Sequence, residues 1–123
     1  EYNFVTQMMK HITKGNVFLA SSDNVVSPTY VPDLVNATLD LIIDQECGIW
    51  HLANPSEITW SDFAIKAAKM AGENHKLIKP CKGTSIRQIA GRPLYSALGS
   101  ERGLLLPPLE NAMQRYINER VLT

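Results

Sequence analysis

The 123-residue sequence predicts an α/β fold in which a small sheet is flanked by helices. Stretches with helical periodicity alternate along the chain with short apolar stretches, and glycine or proline separates most of them. The candidate strands are few and short, so they can build a sheet of about three or four strands at most. We expect residues 1–123 to form a single domain with one modest core.

The first half of the chain is predicted to contain two helices. Apolar residues at helical spacing indicate the first: Phe4, Val5, Met8, Met9 and Ile12. Gly15 stands where that helix would end. "NVFLAS" then indicates a strand, "SSDN" a turn and "VVSPTYV" an extended segment. Pro32 and Asp33 suit the first turn of a second helix, whose pattern is set by Val31, Leu34, Val35, Thr38, Leu41 and Ile42.

The second half is predicted to contain two strands and two helices. "GIWHLAN" is typical of a buried strand, and "NHKLIKPC" of a strand that reaches a proline. Between them, Thr59 and Asp62 resemble a capping box at the start of a helix that Gly72 ends. Residues 82–103 form a long loop without clear periodicity, a length that usually has a function. "PPLENAMQRYINERV" predicts a final helix.

Composition excludes several classes of function. Lysine plus arginine equals aspartate plus glutamate, so the net charge is zero, which argues against a nucleic-acid partner. Cys47 and Cys81 lie far apart without metal-ligand spacing and indicate reduced thiols in a cytoplasmic protein. The three histidines form no paired motif, so no metal site is expected. No apolar run has the roughly 20 residues of a membrane span.

Motifs for catalysis and for cofactor binding are missing from the sequence. The glycines match neither GxGxxG nor a Walker pattern, and no tyrosine has a lysine four residues further on. A GxSxG elbow is also absent. We therefore predict no catalytic residue in this chain and no cofactor bound by the chain alone.

What remains is a set of candidate binding groups. In "GRPLYSAL", the guanidinium of Arg92 offers a planar fork of donors suited to a diphosphate or a carboxylate, and the Ser96 hydroxyl can donate a further bond. The alternative is a surface arginine paired with a nearby carboxylate. Asn3 precedes the first helix, where anions bind well. It is equally explained as that helix's N-cap.

Several stretches together resemble one family. "NFV", "SPTYVPDLVNATLDLI", "GIWHLANPSEITWSDFA" and "RPLYSALGS" followed by "LLPPLENAMQRYI" resemble the carboxy-terminal part of dTDP-4-dehydrorhamnose reductases, in the extended short-chain dehydrogenase/reductase superfamily. The resemblance runs through nearly the whole chain in the expected order. "GIWHLAN" also resembles bacterial forms in which such a region follows a glycosidase-like region.

The resemblance implies the substrate-binding part of a Rossmann-type reductase. It implies that Asn3 and Phe4 line the sugar-diphosphate side of a cleft, and that Arg92 and Ser96 lie near the nucleotide and phosphates. In such proteins a preceding Rossmann domain binds NADPH and carries the catalytic Tyr and Lys, so we expect this chain to be a piece of a longer protein. Its implied partners are a dTDP-sugar, that Rossmann domain and, through exposed helix faces, a second copy.

Other functions stay open at this point. A nucleotide-sugar epimerase or dehydratase shares the superfamily, although "SPTYV" favours the reductase branch. A reductase-like module without catalysis would lack the glycine and Tyr/Lys motifs in the rest of the protein. A domain that binds no nucleotide sugar at all is the remaining alternative.

Overall fold

A computed structural model describes residues 3–83, 93–99 and 105–122. Its elements are, in chain order, α1 (Phe4–Thr13), β1 (Phe18–Ser21), β2 (Val25–Val26), α2 (Val31–Ile43), β3 (Ile58–Thr59), α3 (Trp60–Met70), a 3-10 turn (His75–Leu77), β4 (Ile78–Cys81) and α4 (Leu109–Leu122). Helices thus alternate with short strands, which confirms the predicted α/β class. The chain divides into two compact units, the first comprising Glu1–Val25 and Ile58–Ser96 and the second Val26–Glu57 and Ala97–Thr123.

The first unit is built on a parallel pair of strands. β1 and β4 run side by side, with Phe18 opposite Ile78 and Ser21 opposite Cys81. α3 packs against both strands, and α1 packs against α3 and β1. Because the strands are parallel, both end at the same edge of the pair, and the segments that follow them start next to each other.

The helices of the first unit begin and end where the sequence predicts. The Thr59 hydroxyl accepts a hydrogen bond from the Asp62 N–H at 3.2 Å, which caps α3 as expected. Gly15 and Gly72 follow α1 and α3 with φ of 79° and 73°. A residue with a Cβ rarely adopts that left-handed conformation, which explains why glycine ends both helices.

The second unit contains α2 and α4. Pro32 and Asp33 stand in the first turn of α2, as the sequence predicts. The helix buries Asp33 and Ala37, whereas an apolar stripe on it is at least 48% exposed: Val31, Val35, Leu39 and Ile42. On α4 the buried residues recur at helical spacing: Leu109, Ala112, Met113 and Ile117.

One predicted strand is wrong. "GIWHLAN" (48–54) has no regular secondary structure, and the Ile49 side chain is 79% exposed. Apolar composition favours a strand only where a neighbouring strand accepts its backbone hydrogen bonds. This segment is held instead through the side chain of its last residue, Asn54, which is fully buried.

Within the described part of the chain, no helix is both long enough and apolar enough to cross a lipid bilayer.

Two adjacent methionines on α1 differ in burial, which predicts different contributions to stability. Met8 is fully buried and Met9 is half-buried. We expect Met8→Ala to lower the free energy of unfolding by about 2–4 kcal/mol, because it leaves a cavity in the core. Met9→Ala is the matched control and should cost about 1 kcal/mol or less. Urea unfolding measures both, and equal costs would contradict the described orientation of α1.

Candidate functional site

Asn3 stands at the amino-terminal end of α1 as its N-cap. Its Oδ1 accepts hydrogen bonds from the N–H groups of Val5 at 2.9 Å and Thr6 at 3.2 Å. These bonds satisfy two N–H groups that have no partner within the helix. The capping interpretation therefore accounts for the Asn3 oxygen, and a ligand contact would have to involve the rest of this exposed side chain.

Phe4, the next residue, packs in a cluster of aromatic rings. Its ring centroid lies 5.5 Å from that of Phe18, 4.6 Å from that of Trp60 and 5.8 Å from that of Phe63. These contacts join α1 to β1 and α3, with geometries that aromatic pairs favour. Phe4 is half-buried and follows the exposed Asn3 in the sequence.

Ser96 belongs to a segment, Pro93–Ser96, that we call the strap. The strap lies beside Val25: the Val25 N–H donates to the Leu94 carbonyl at 2.7 Å, and the Ser96 N–H donates to the Val25 carbonyl at 2.8 Å. The Ser96 hydroxyl reaches that same carbonyl at 3.3 Å. The strap thus adds a short parallel bridge, between Val25 and Tyr95, to the first unit.

A polar turn follows β1 and meets the strap. The Ser21 hydroxyl lies 2.8 Å from Asp23 Oδ1 and 2.7 Å from Asn24 Oδ1, so its one hydrogen is shared between two acceptors. The Gly83 N–H also donates to Asp23 Oδ1, at 2.8 Å. The Ser21 hydroxyl and the Gly83 N–H hold the pKa of the Asp23 carboxyl below its usual value. Asn24 Nδ2 donates to the Pro93 carbonyl at 2.8 Å.

The second unit has a polar network of its own, centred on Asp33. Both carboxylate oxygens of Asp33 accept from the guanidinium of Arg115, each at 2.7 Å, in a two-point ion pair. The Arg115 hydrogen bonds lower the pKa of Asp33; burial opposes this effect, and a further bond from Asn54 supports it. The pair joins the first turn of α2 to α4.

Asn54 completes this network from the segment that was predicted to be a strand. Its Nδ2 donates to Asp33 Oδ2 and to the Pro107 carbonyl, both at 2.9 Å. Its Oδ1 accepts from the Tyr30 N–H at 2.7 Å. One buried carboxamide therefore joins its own segment to the start of α2 and to the segment that precedes α4.

Tyr30 lies at the edge of the same network. The Arg115 guanidinium carbon sits 5.1 Å from the centroid of its ring, and the Tyr116 ring meets it edge to face at 6.2 Å. Burial, reinforced by the Glu119 carboxylate, raises the pKa of the Tyr30 hydroxyl to about 12. Tyr30 therefore stays protonated at neutral pH and cannot act as a base there.

The four predicted site residues fall into separate groups. Asn3 and Phe4 are adjacent at the start of α1, and Ser96 is anchored to Val25; all three belong to the first unit. Arg92 lies outside the described residues.

Sequence reasoning missed two polar groups, the one around Asn24 and the one around Asp33. "SSDN" was predicted only as a turn, and Asp33 only as a favourable helix-start residue. The turn residues were a usable signal, because Ser, Asp and Asn often bond to nearby backbone. The partners of Asn24 and Asp33 are 69 and 82 residues away, which spacing alone does not reveal.

Polar groups surround the strap. In the described ranges, no group of three or more His, Cys, Asp or Glu residues could hold a metal ion. The groups around the strap are backbone N–H and carbonyl groups, the Ser21 and Ser96 hydroxyls, the Asn24 carboxamide and the Asp23 carboxylate. The fold defines a small α/β domain.

Comparison with known families identifies that domain. The model of the "RmlD substrate binding domain" family matches residues 1–121, and the chain belongs to this family. It is 29% identical over 112 residues to a probable dTDP-4,6-dihydroxy-2-methyloxan-3-one 4-ketoreductase of Streptomyces antibioticus, and covers 38% of that protein. It is 32% identical over 101 residues to a dTDP-4-dehydrorhamnose reductase of Mycolicibacterium smegmatis, and covers 31% of it. These alignments include 89% and 81% of this chain.

Solved structures agree with this assignment. The chain superposes on a dTDP-4-dehydrorhamnose reductase of Clostridium acetobutylicum with a TM-score of 0.90 and 25% identity, covering 98% of this chain and 45% of that one. A second such reductase, from Bacillus anthracis in complex with NADP, gives a TM-score of 0.87 and 28% identity, covering 97% of this chain and 44% of that one. The chain therefore spans less than half the length of these relatives, and the family resemblance predicted from the sequence is confirmed.

The Asp33–Arg115 pair generates a prediction about stability. Arg115→Ala leaves a buried carboxylate without its charged partner and should lower the free energy of unfolding by about 2 kcal/mol at neutral pH. The estimate is modest because the Arg115 side chain is 39% exposed and therefore partly screened by water. Arg120→Ala, on the same helix beside Tyr116, is the control and should cost about 0.5 kcal/mol or less.

The same pair sets a pH dependence with a defined sign. The folded-state pKa of Asp33 is lowered, so its contribution to stability is complete above the unfolded-state pKa of about 3.9. That contribution is lost as the pH falls through the lower folded-state value. The difference between the parent chain and Arg115→Ala, followed by urea unfolding, should therefore shrink in acid. A difference that stays constant down to the acid limit of folding would contradict the ion pair.

Proposed function

We propose that this chain is the nucleotide-sugar-binding part of an NADPH-dependent reductase that acts on dTDP-4-keto sugars. The match of the substrate-binding family to residues 1–121 carries the proposal. The relatives named above support it, because they are named as reductases of dTDP-linked sugars. They also favour the reductase branch over an epimerase or a dehydratase.

The cofactor in this proposal belongs to the rest of the protein. A related reductase was solved with NADP, which supports the same cofactor for the protein that contains this chain. The chain's own residues do not fit a nicotinamide cofactor, since its sequence has neither the glycine fingerprint nor a Tyr/Lys pair. Its part in the reaction is to bind and orient the sugar nucleotide.

Within the first unit, the proposed ligand contacts are divided between two places. Ser96 supplies a hydroxyl whose present bond to the Val25 carbonyl is long, at 3.3 Å, so a phosphate oxygen can replace that carbonyl as acceptor. Arg92, which precedes the strap in sequence, supplies the charge for the diphosphate. Asn3 offers its amide nitrogen to the sugar, and Phe4 offers its half-buried side chain.

We also propose a surface of this chain that the rest of the protein covers. The exposed apolar stripe of α2, from Val31 to Ile42, is larger than isolated surface residues explain. On this proposal the Rossmann domain of the same protein covers it. A second copy of the chain would be the alternative cover.

Arg92→Ala tests the proposed ligand contact. In the full-length protein we expect the affinity for dTDP to fall by about 1.5–3 kcal/mol, roughly ten- to a hundredfold, because a charge-assisted contact is lost. Thymidine, which lacks phosphate, should bind both proteins equally. Arg120→Ala is the matched control and should change neither affinity. Calorimetric titration measures all of these, and an unaltered dTDP affinity in Arg92→Ala would remove Arg92 from the site.

A separate experiment tests whether the reaction requires the part of the protein that binds the cofactor. The 123-residue chain alone should not oxidise NADPH in the presence of a dTDP-4-keto sugar, because hydride transfer needs a bound nicotinamide. The full-length protein is the control and should show turnover. Loss of NADPH absorbance with the isolated chain would show that this requirement is wrong.

A further inference from the structure

The strap is anchored through its backbone. Leu94 and Tyr95 are 64% and 58% exposed, and Pro93 and Ser96 are exposed as well, so burial of side chains contributes little to holding the segment in place. Hydrogen bonds to Val25 and to Asn24 anchor it. A segment with few buried contacts opens easily, so each of these bonds matters for its position.

Asn24 makes such an anchor from a buried position. It is only 6% exposed, and its Nδ2 donates to the Pro93 carbonyl at 2.8 Å. A carbonyl can only accept, so the amide nitrogen must face Pro93 and the oxygen must face the Ser21 hydroxyl. The Asn24 N–H also donates to that hydroxyl, at 3.1 Å. The orientation of the carboxamide is thereby fixed at both ends.

Gly83 provides a second and independent observation. A Cβ placed on Gly83 would collide with Asn24 Oδ1, and would lie 3.1 Å from Asp23 Oδ1. A side chain at position 83 therefore requires the Asn24 carboxamide or the backbone at position 83 to shift. Glycine is required here because the backbone after β4 approaches that carboxamide so closely.

We propose that Asn24 is a positioning residue for the sugar-nucleotide site: its carboxamide, oriented by Ser21 and given room by Gly83, fixes the strap that carries Ser96. The inference rests on the proposed function. Asn24 itself touches no ligand in this proposal and acts through the Pro93 backbone.

Two variants test it in the full-length protein. Asn24→Ala removes the donor to Pro93, and Gly83→Ala crowds the same carboxamide without altering Asn24. Ser22→Ala is the matched control, since its hydroxyl lies in the same turn and bonds to the Cys81 carbonyl at 3.1 Å. The measurements are deuterium exchange of the peptide spanning the strap, and the KM values for a dTDP-4-keto sugar and for NADPH.

Both test variants should exchange faster at the strap. Each should raise the KM for the sugar nucleotide about three- to tenfold, the effect of one lost neutral hydrogen bond, with the KM for NADPH unchanged. Ser22→Ala should change none of these. A variant that merely unfolds the protein would lower the active fraction and leave both KM values in place, so the KM difference separates positioning from loss of structure.

Two results would overturn the proposal. The first is unaltered strap exchange in Asn24→Ala. The second is faster exchange with an unaltered KM for the sugar nucleotide. If the parent protein neither binds nor turns over dTDP-sugars, the proposed function fails instead, and the exchange measurement alone still decides whether Asn24 holds the strap.

Discussion

The parallel pairing of β1 with β4 is the constraint on which the first unit depends. It brings the ends of two strands, separated by about sixty residues of chain, to one edge. The turn after Ser21 and the backbone at Gly83 therefore meet, and their polar groups satisfy one another. The Gly83 N–H and the Ser21 hydroxyl thus both reach Asp23, which is next in sequence to the Asn24 that anchors the strap.

In the second unit, an ion pair joins segments that are far apart in the sequence. A two-point ion pair between Asp33 and Arg115, completed by the buried Asn54 carboxamide, ties together α2, α4 and an irregular segment. Such a network is costly to break by removing one member, because the remaining groups stay buried without partners. It explains how "GIWHLAN" keeps a defined path without being a strand.

Local features of the fold could be predicted from the sequence because they depend on neighbouring residues. The ends of α1 and α3 follow from Asn3, Gly15, Thr59 and Gly72, each acting within one helical turn. The family followed from several motifs in a fixed order. The strand assigned to 48–54 was wrong because its composition gave no information about the neighbour that a strand requires.

The candidate site was less predictable because its contacts join residues that are far apart in the sequence. Asn24 acts on Pro93 across 69 residues, and nothing in "SSDN" specifies that partner. Ser96 was chosen for its hydroxyl, whereas the structure also shows its N–H holding the strap to Val25. The roles proposed for Asn3, Phe4, Arg92 and Ser96 remain predictions.

The central claim is that the strap forms part of a sugar-nucleotide site, and protection on ligand binding tests it most directly. Deuterium exchange of the full-length protein with and without dTDP should show slower exchange in the peptide spanning 91–98. The peptide spanning 109–122, in α4, should be unaffected and serves as the internal reference. Protection absent from the strap at saturating dTDP would contradict the account.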